Sequence, residues 1–208
     1  MKKTHELFLS LVLFSIYTYS FTSAEPVLDA GGKILRPDAY YYMVPADIRD
    51  KGRGGGLTLS GIGNYTCPLT VVQELYETKI GLPLRFYPLH EDTKKGTAVP
   101  LSTDLNIEFS YPERCGESTI WKLEDYDEYQ GKYFVGVGGV VGDLSPEALS
   151  NWFKIEKYGY GYKLLYCPTI CSDCEVVCKN IGIVYENGQR RLALTDVRPL
   201  KFLFKLAK

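Results

Sequence analysis

The chain has 208 residues, with 24 lysines and arginines against 25 aspartates and glutamates, a formal net charge of −1. That balance excludes the strongly basic face a nucleic-acid partner would require. Two histidines, His5 and His90, and no GxSxG elbow leave almost nothing for a Ser-His-Asp hydrolase.

At the amino end, Lys2 and Lys3 precede the uncharged apolar run LFLSLVLFSIYTYSF (7–21), and Thr22-Ser23-Ala24 then supplies small residues where a signal peptidase reads. The pattern predicts a secretory signal peptide over 1–24 and a mature chain of one domain over 25–208. The apolar run has 15 residues, fewer than the roughly 20 of a spanning helix, and no stop-transfer charges follow it. Losing Lys2, Lys3 and Glu6 with the leader leaves 22 basic and 24 acidic residues, a net charge of −2. The 184 residues that remain suffice for a sizeable core. The expectation is a soluble protein that is secreted, or vacuolar through the secretory pathway, with no membrane segment.

Along the mature chain, RGGG (53–56) reads as a flexible loop. Asn64-Tyr65-Thr66 is an N-glycosylation sequon beside Cys67, so Asn64 is the candidate acceptor. PLTVVQ and PLRFYP are short strands. In STDLNIEFS (102–110), Leu105, Ile107 and Phe109 point one way while Asp104, Asn106 and Glu108 point the other. Glu124, Asp125, Asp127 and Glu128 read as a solvated acidic turn, because they lack the spacing and central glycine of a calcium loop. KYFVGV is another strand. VGVGGVVGD (135–143) lacks the third glycine of a dinucleotide fingerprint and no long helix follows, so it reads as a turn.

SPEALSNW (145–152) is the only helical segment, with Ser145 as cap and Pro146 in the first turn. WFKIEKY and YKLLYC follow as strands. IGIVYENGQRRLALTD (181–196) sets Asn187-Gly188 between two apolar runs, a strong hairpin signal, and KFLFKLA (201–207) alternates as the last strand. Many short strands at close spacing predict an all-β sandwich or barrel.

CPTICSDCEVVC (167–178) holds four of the six cysteines. Zinc fits poorly: the segment has no histidine, and all-cysteine sites usually use two separated CxxC pairs, whereas here only Cys171 and Cys174 have that spacing. A redox role would need a helix of a βαβ unit after the CxxC, which is absent. An exported chain with an even cysteine count points to disulfides. If the cluster pairs within itself, Cys67 and Cys115 are left for each other.

VLDAGGKILRPDAYYYM (27–43) resembles the amino-terminal signature of the plant Kunitz, or soybean-trypsin-inhibitor-type, family through Asp29, Lys33, Leu35, Tyr41 and Met43, with Gly31 as a departure. CPLTVVQ, STDLNIEF, WKLEDYD, LSNWFKIEKY and YKLLYCPTICSDCEVVCKNIGI resemble its miraculin-like branch. The resemblance implies a β-trefoil: twelve short strands in three units around a six-stranded barrel with a hairpin cap. It also implies nested bridges, Cys167 with Cys178 and Cys171 with Cys174, beside Cys67 with Cys115.

By the same resemblance the protein is not an enzyme, needs no cofactor or metal, and inhibits an endopeptidase, either a serine protease or a papain-like cysteine protease. Family inhibitors present a rigid loop that enters the protease cleft like substrate. Here that loop maps to YPLHEDTKKGTA (87–98). Placing the family proline on Pro88 puts Leu89 next, His90 at the specificity position and Glu91 after it. Trypsin's buried aspartate calls for arginine or lysine there, and histidine is shorter and mostly neutral near pH 7. Lys94 and Lys95 lie further along and are either contacts or a solvated turn. The asparagine that braces such loops would fall near Pro37 or Asp38, and neither supplies its amide. The alternative is a non-inhibitory, miraculin-like storage, defence or ligand-binding protein. With six cysteines paired off, a monomer is expected.

Overall fold

The structure, a computed structural model, describes residues 24–46, 54–89, 97–112 and 115–207. Three units of four strands follow one another. The first is β1 (Tyr41–Pro45), β2 (Leu57–Gly61), β3 (Leu69–Gln73) and β4 (Leu84–Pro88). The second is β5 (Leu105–Phe109), β6 (Trp121–Asp127), β7 (Lys132–Val137) and β8 (Lys154–Tyr158). The third is β9 (Gly161–Tyr166), β10 (Lys179–Glu186), β11 (Gln189–Thr195) and β12 (Phe202–Leu206).

The pairing repeats from unit to unit. The inner strands of each unit form a hairpin: β2 with β3, β6 with β7, β10 with β11. The outer strands join in a ring. β4 pairs β5, β8 pairs β9 and β12 pairs β1 between units. Within units, Tyr41 meets Leu84, Tyr162 meets Phe202, and Leu105 bridges to Phe153 just before β8. Six strands therefore close on themselves, which removes exposed edges from the barrel. The three hairpins touch in a triangle at Thr70–Gly136, Phe134–Ala193 and Val72–Arg191. This is the β-trefoil that the resemblance implies, and its pseudo-threefold order lies in the pairing rather than in any visible sequence repeat.

Alternation explains the core. In β4, Leu84, Phe86 and Pro88 are buried while Arg85 and Tyr87 are half-buried. Phe86 of the first unit meets Phe204 of the third edge-on at 5.3 Å, and within the second unit Trp121 meets Phe153 edge-on at 6.1 Å, so aromatic pairs lock the barrel both between and within units. Asn187 (φ 48°) and Gly188 (φ 76°) both take the left-handed conformation of a two-residue hairpin turn. Three disulfides join Cys67–Cys115, Cys167–Cys178 and Cys171–Cys174.

Several details differ from the sequence reading. The RGGG segment is not a loose loop where it is described: Gly54, Gly55 and Gly56 are buried. A Cβ at Gly55 would stand 2.1 Å from the Lys79 carbonyl oxygen, and one at Gly56 1.9 Å from that of Ile80. The glycines are there because another backbone runs against them. Glu124, Asp125 and Asp127 are not in a turn but in β6.

The helix is a short 3-10 helix, Pro146–Asn151, and Ser145 makes no side-chain cap bond. The sequence leaves open what lies over the polar side of β5, and the structure covers it at Asp104, just before the strand, and at Asn106. Asp104 and Asn106 are 2% and 0% exposed, and the Asn106 amide donates to the Asn151 carbonyl at 2.9 Å. A polar residue in strict alternation marks the second face without saying what lies over it.

Candidate functional site

The candidate loop is the connection from β4 to β5. Pro88 is the last residue of β4, opposite Leu105, and is buried; Leu89 is half-buried. The Leu89 N–H donates to the Asp104 carbonyl at 2.8 Å, continuing the β4–β5 ladder by one bond. His90, Glu91, Lys94 and Lys95 lie outside the described residues.

The return stem is fastened along its length. Val27 N–H donates to Val99 at 2.9 Å, Val99 N–H to Leu35 at 2.8 Å, and Leu101 N–H to Glu25 at 2.8 Å. Ser102 N–H donates to Ile155 at 2.9 Å, and Leu105 and Phe153 exchange backbone bonds of 2.9 Å each. The connection thus leaves and re-enters the barrel against three different segments.

Below the loop, Arg85 Nε donates to the Pro37 carbonyl at 2.9 Å, and the Arg85 guanidinium lies 4.8 Å from the centre of the Tyr87 ring. The Tyr87 hydroxyl donates to the Glu108 carboxylate. Burial first, and then that hydrogen bond, push the Tyr87 hydroxyl up to about 12. Pro37 itself is buried and Asp38 is exposed, paired with Arg36 at 3.2 Å. At this position a backbone carbonyl, held by Arg85, stands where an asparagine amide was looked for.

Asn64 is exposed in the turn between β2 and β3, next to Tyr65, which is 77% exposed. Neither side chain is needed by the core.

The hairpin triangle holds a second polar centre, which the sequence reading missed. Arg191 is 2% exposed and lies 3.7 Å above the Phe134 ring. Its guanidinium pairs with Glu186 at 2.5 Å and Glu124 at 2.8 Å, and donates to the Thr70 hydroxyl at 3.1 Å. Each partner comes from a different hairpin. The only signal in sequence was an arginine inside an apolar strand, RRLAL. This centre ties the three hairpins of the cap together.

The family is decided by comparison with known proteins. The legume Kunitz family model, trypsin and protease inhibitor, matches residues 27–206. The chain belongs to the Kunitz family of plant trypsin and protease inhibitors. It is 42% identical over 203 residues to Kunitz trypsin inhibitor 5 of Arabidopsis thaliana, covering 97% of this chain and 96% of the relative. It is 47% identical over 191 residues to miraculin of Synsepalum dulcificum, covering 88% and 84%. A Kunitz-type cysteine protease inhibitor from potato superposes with a TM-score of 0.73 at 33% identity, covering 89% of this chain and 99% of the other. Kunitz proteins of this kind are protease inhibitors rather than enzymes, and they share the β-trefoil described above.

Proposed function

We propose that the chain enters the secretory pathway and, after removal of residues 1–24, acts as a monomeric Kunitz domain (25–208) that inhibits an endopeptidase. The β4–β5 connection, residues 87–98, is the segment presented to the protease cleft in the manner of a substrate. The observation that carries this reading is the family match across 27–206, together with a connection fastened at both stems. Rigid stems lower the ordering cost of binding and keep the two sides of a cleaved bond together. The target is a serine protease or, as the potato neighbour's name indicates for that protein, a cysteine protease. No nucleic acid and no membrane enter the function.

A second reading is favoured by the miraculin similarity and by His90 at the specificity position: a non-inhibitory storage, defence or ligand-binding protein. One titration separates the two. The mature protein is titrated against trypsin, chymotrypsin, subtilisin and papain, alongside the variant His90→Arg. On the inhibitor reading at least one protease is inhibited. His90→Arg then strengthens trypsin binding by on the order of a few kcal/mol, because arginine makes a two-pronged ion pair with the pocket aspartate. If Lys94 or Lys95 is the contact, removing that lysine abolishes trypsin inhibition and His90→Arg does little. Inhibition of none of the four, with no gain from His90→Arg, transfers the conclusion to the second reading.

A further inference from the structure

The bracing amide of the family pattern is missing at Pro37, yet both stems of the β4–β5 connection are held. Asp104 sits where they meet. Its backbone carbonyl accepts the Leu89 N–H at 2.8 Å, the bond that joins the outgoing stem to the returning one. Its side chain is 1% exposed. Oδ2 accepts the Thr169 N–H at 3.0 Å and the Thr169 hydroxyl at 2.5 Å. Lys154 Nζ lies 3.6 Å from Oδ1 and donates to the Thr169 hydroxyl at 3.2 Å. Oδ1 accepts no hydrogen bond among the described groups.

A carboxylate this buried is expensive, and its ion pair and hydrogen bonds only offset the hydration it has lost. An apolar residue would pack as well at less cost. What the carboxylate adds is a fixed place. Thr169 lies between Cys167 and Cys171, in the segment held by the Cys167–Cys178 and Cys171–Cys174 bridges. Lys154 opens β8, next to Phe153, which exchanges backbone bonds with Leu105. Two rigid elements, one cross-linked and one in the barrel, therefore converge on the residue that carries the loop-closing carbonyl.

We propose that Asp104, with Lys154 and Thr169, is the positioning anchor of the β4–β5 connection. It substitutes in role for the absent asparagine amide and couples the stems to the cystine-held segment. The positioning stands on the geometry alone; its consequence for inhibition rests on the inhibitor reading above. Loosening the anchor lets the Asp104 backbone shift, opens the Leu89 bond more often and raises the ordering cost of docking.

The test measures native-state amide exchange at Leu89 in the mature protein, with inhibition of whichever protease the wild type inhibits as the second readout. Thr169→Val keeps the shape and the backbone N–H but removes the hydroxyl, Thr169→Ser returns it, and Asp104→Asn keeps the shape without the charge. Leu89 is expected to exchange about fivefold faster in Thr169→Val, the scale of one lost hydrogen bond, and faster still in Asp104→Asn. Thr169→Ser restores the wild-type rate, and amides of the β10–β11 hairpin do not change in Thr169→Val. Inhibition weakens in the same order as Leu89 exchange rises.

An unchanged Leu89 rate, or an equal rise at Leu89 and in β10–β11, overturns the anchor. Faster Leu89 exchange with unaltered inhibition overturns its role in inhibition. A wild type that inhibits nothing removes the inhibitor reading, while the Leu89 rates still decide the anchor.

Discussion

Replacing Cys67 and Cys115 together by serine should destabilise the protein more than any other removal of a single bridge. The bridge spans 48 residues and encloses β3, β4 and β5. Closing a loop of that length removes unfolded-chain entropy equivalent to about 4 kcal/mol on the chain-entropy scale. The Cys167–Cys178 bridge, with a separation of 11, gives about 2.8 kcal/mol on that scale, and Cys171–Cys174, with a separation of 3, about 1.6 kcal/mol. Cys67 and Cys115 are both exposed, so serine forfeits little packing and the loss acts almost wholly through the unfolded chain.

The assay is guanidinium unfolding of the mature protein under non-reducing conditions. It compares the wild type with Cys67→Ser/Cys115→Ser and with Cys171→Ser/Cys174→Ser. A loss near 4 kcal/mol corresponds to a fall in Tm of roughly 8–16 °C for a domain of this size. If the long-loop variant loses less than about 1 kcal/mol, or less than the Cys171/Cys174 variant, the entropic account is wrong for this fold.

Arg191→Leu should cost about 3–5 kcal/mol in the same assay, because it leaves Glu124, Glu186 and the Thr70 hydroxyl facing one another without the cation. Tyr87→Phe should be less stable than the wild type below pH 10, and the gap should close as pH rises toward about 12. The folded protein holds the Tyr87 proton more tightly than the unfolded chain, so that contribution is full below the unfolded value and is lost through the folded one. Asn64 should carry glycan in the exported protein, so an N-glycan-removing enzyme should lower its mass; an unchanged mass counts against occupancy at this exposed turn.

The elements that were readable in sequence are those where local chemistry and tertiary pairing agree. Asn187-Gly188 dictates its own turn, and β5 alternates apolar Leu105, Ile107 and Phe109 with polar Asn106 and Glu108. β1 lacks contrast, since YYMVP is apolar on both faces although Tyr41 and Met43 alone are fully buried. β2 is five residues long and is entered from glycines whose need is set by the distant backbone of Lys79 and Ile80. No local pattern can announce a neighbour some 25 residues away. Glu124 was misread for the same reason: its partner Arg191 is 67 residues further on. The disulfide pairing came from family resemblance, because spacing alone left the cluster's connectivity open. Asp104, just before β5, lies on the polar side as its alternation indicates, and only the fold reveals that Thr169 and Lys154 cover it.

The same separation of local from distant causes predicts how the loop and the frame respond to change. The stems are held by Leu89, Val99, Leu101, Ser102 and Asp104, through bonds to Val27, Leu35, Glu25, Ile155 and Thr169. On the proposed reading the specificity position falls at His90, outside the described residues and outside the set of bonds just named. Substitutions there, such as His90→Arg or Lys94→Ala, should therefore change which protease is bound while leaving Tm within the ±0.5 kcal/mol equivalent of ordinary surface changes. Substitutions at Asp104 should move both quantities together, since the carboxylate serves the barrel and the loop at once. Measuring Tm and inhibition on both sets of variants tests the division directly. A fall in Tm of many degrees for His90→Arg would mean that the loop is part of the frame, and the separation of specificity from stability would be lost.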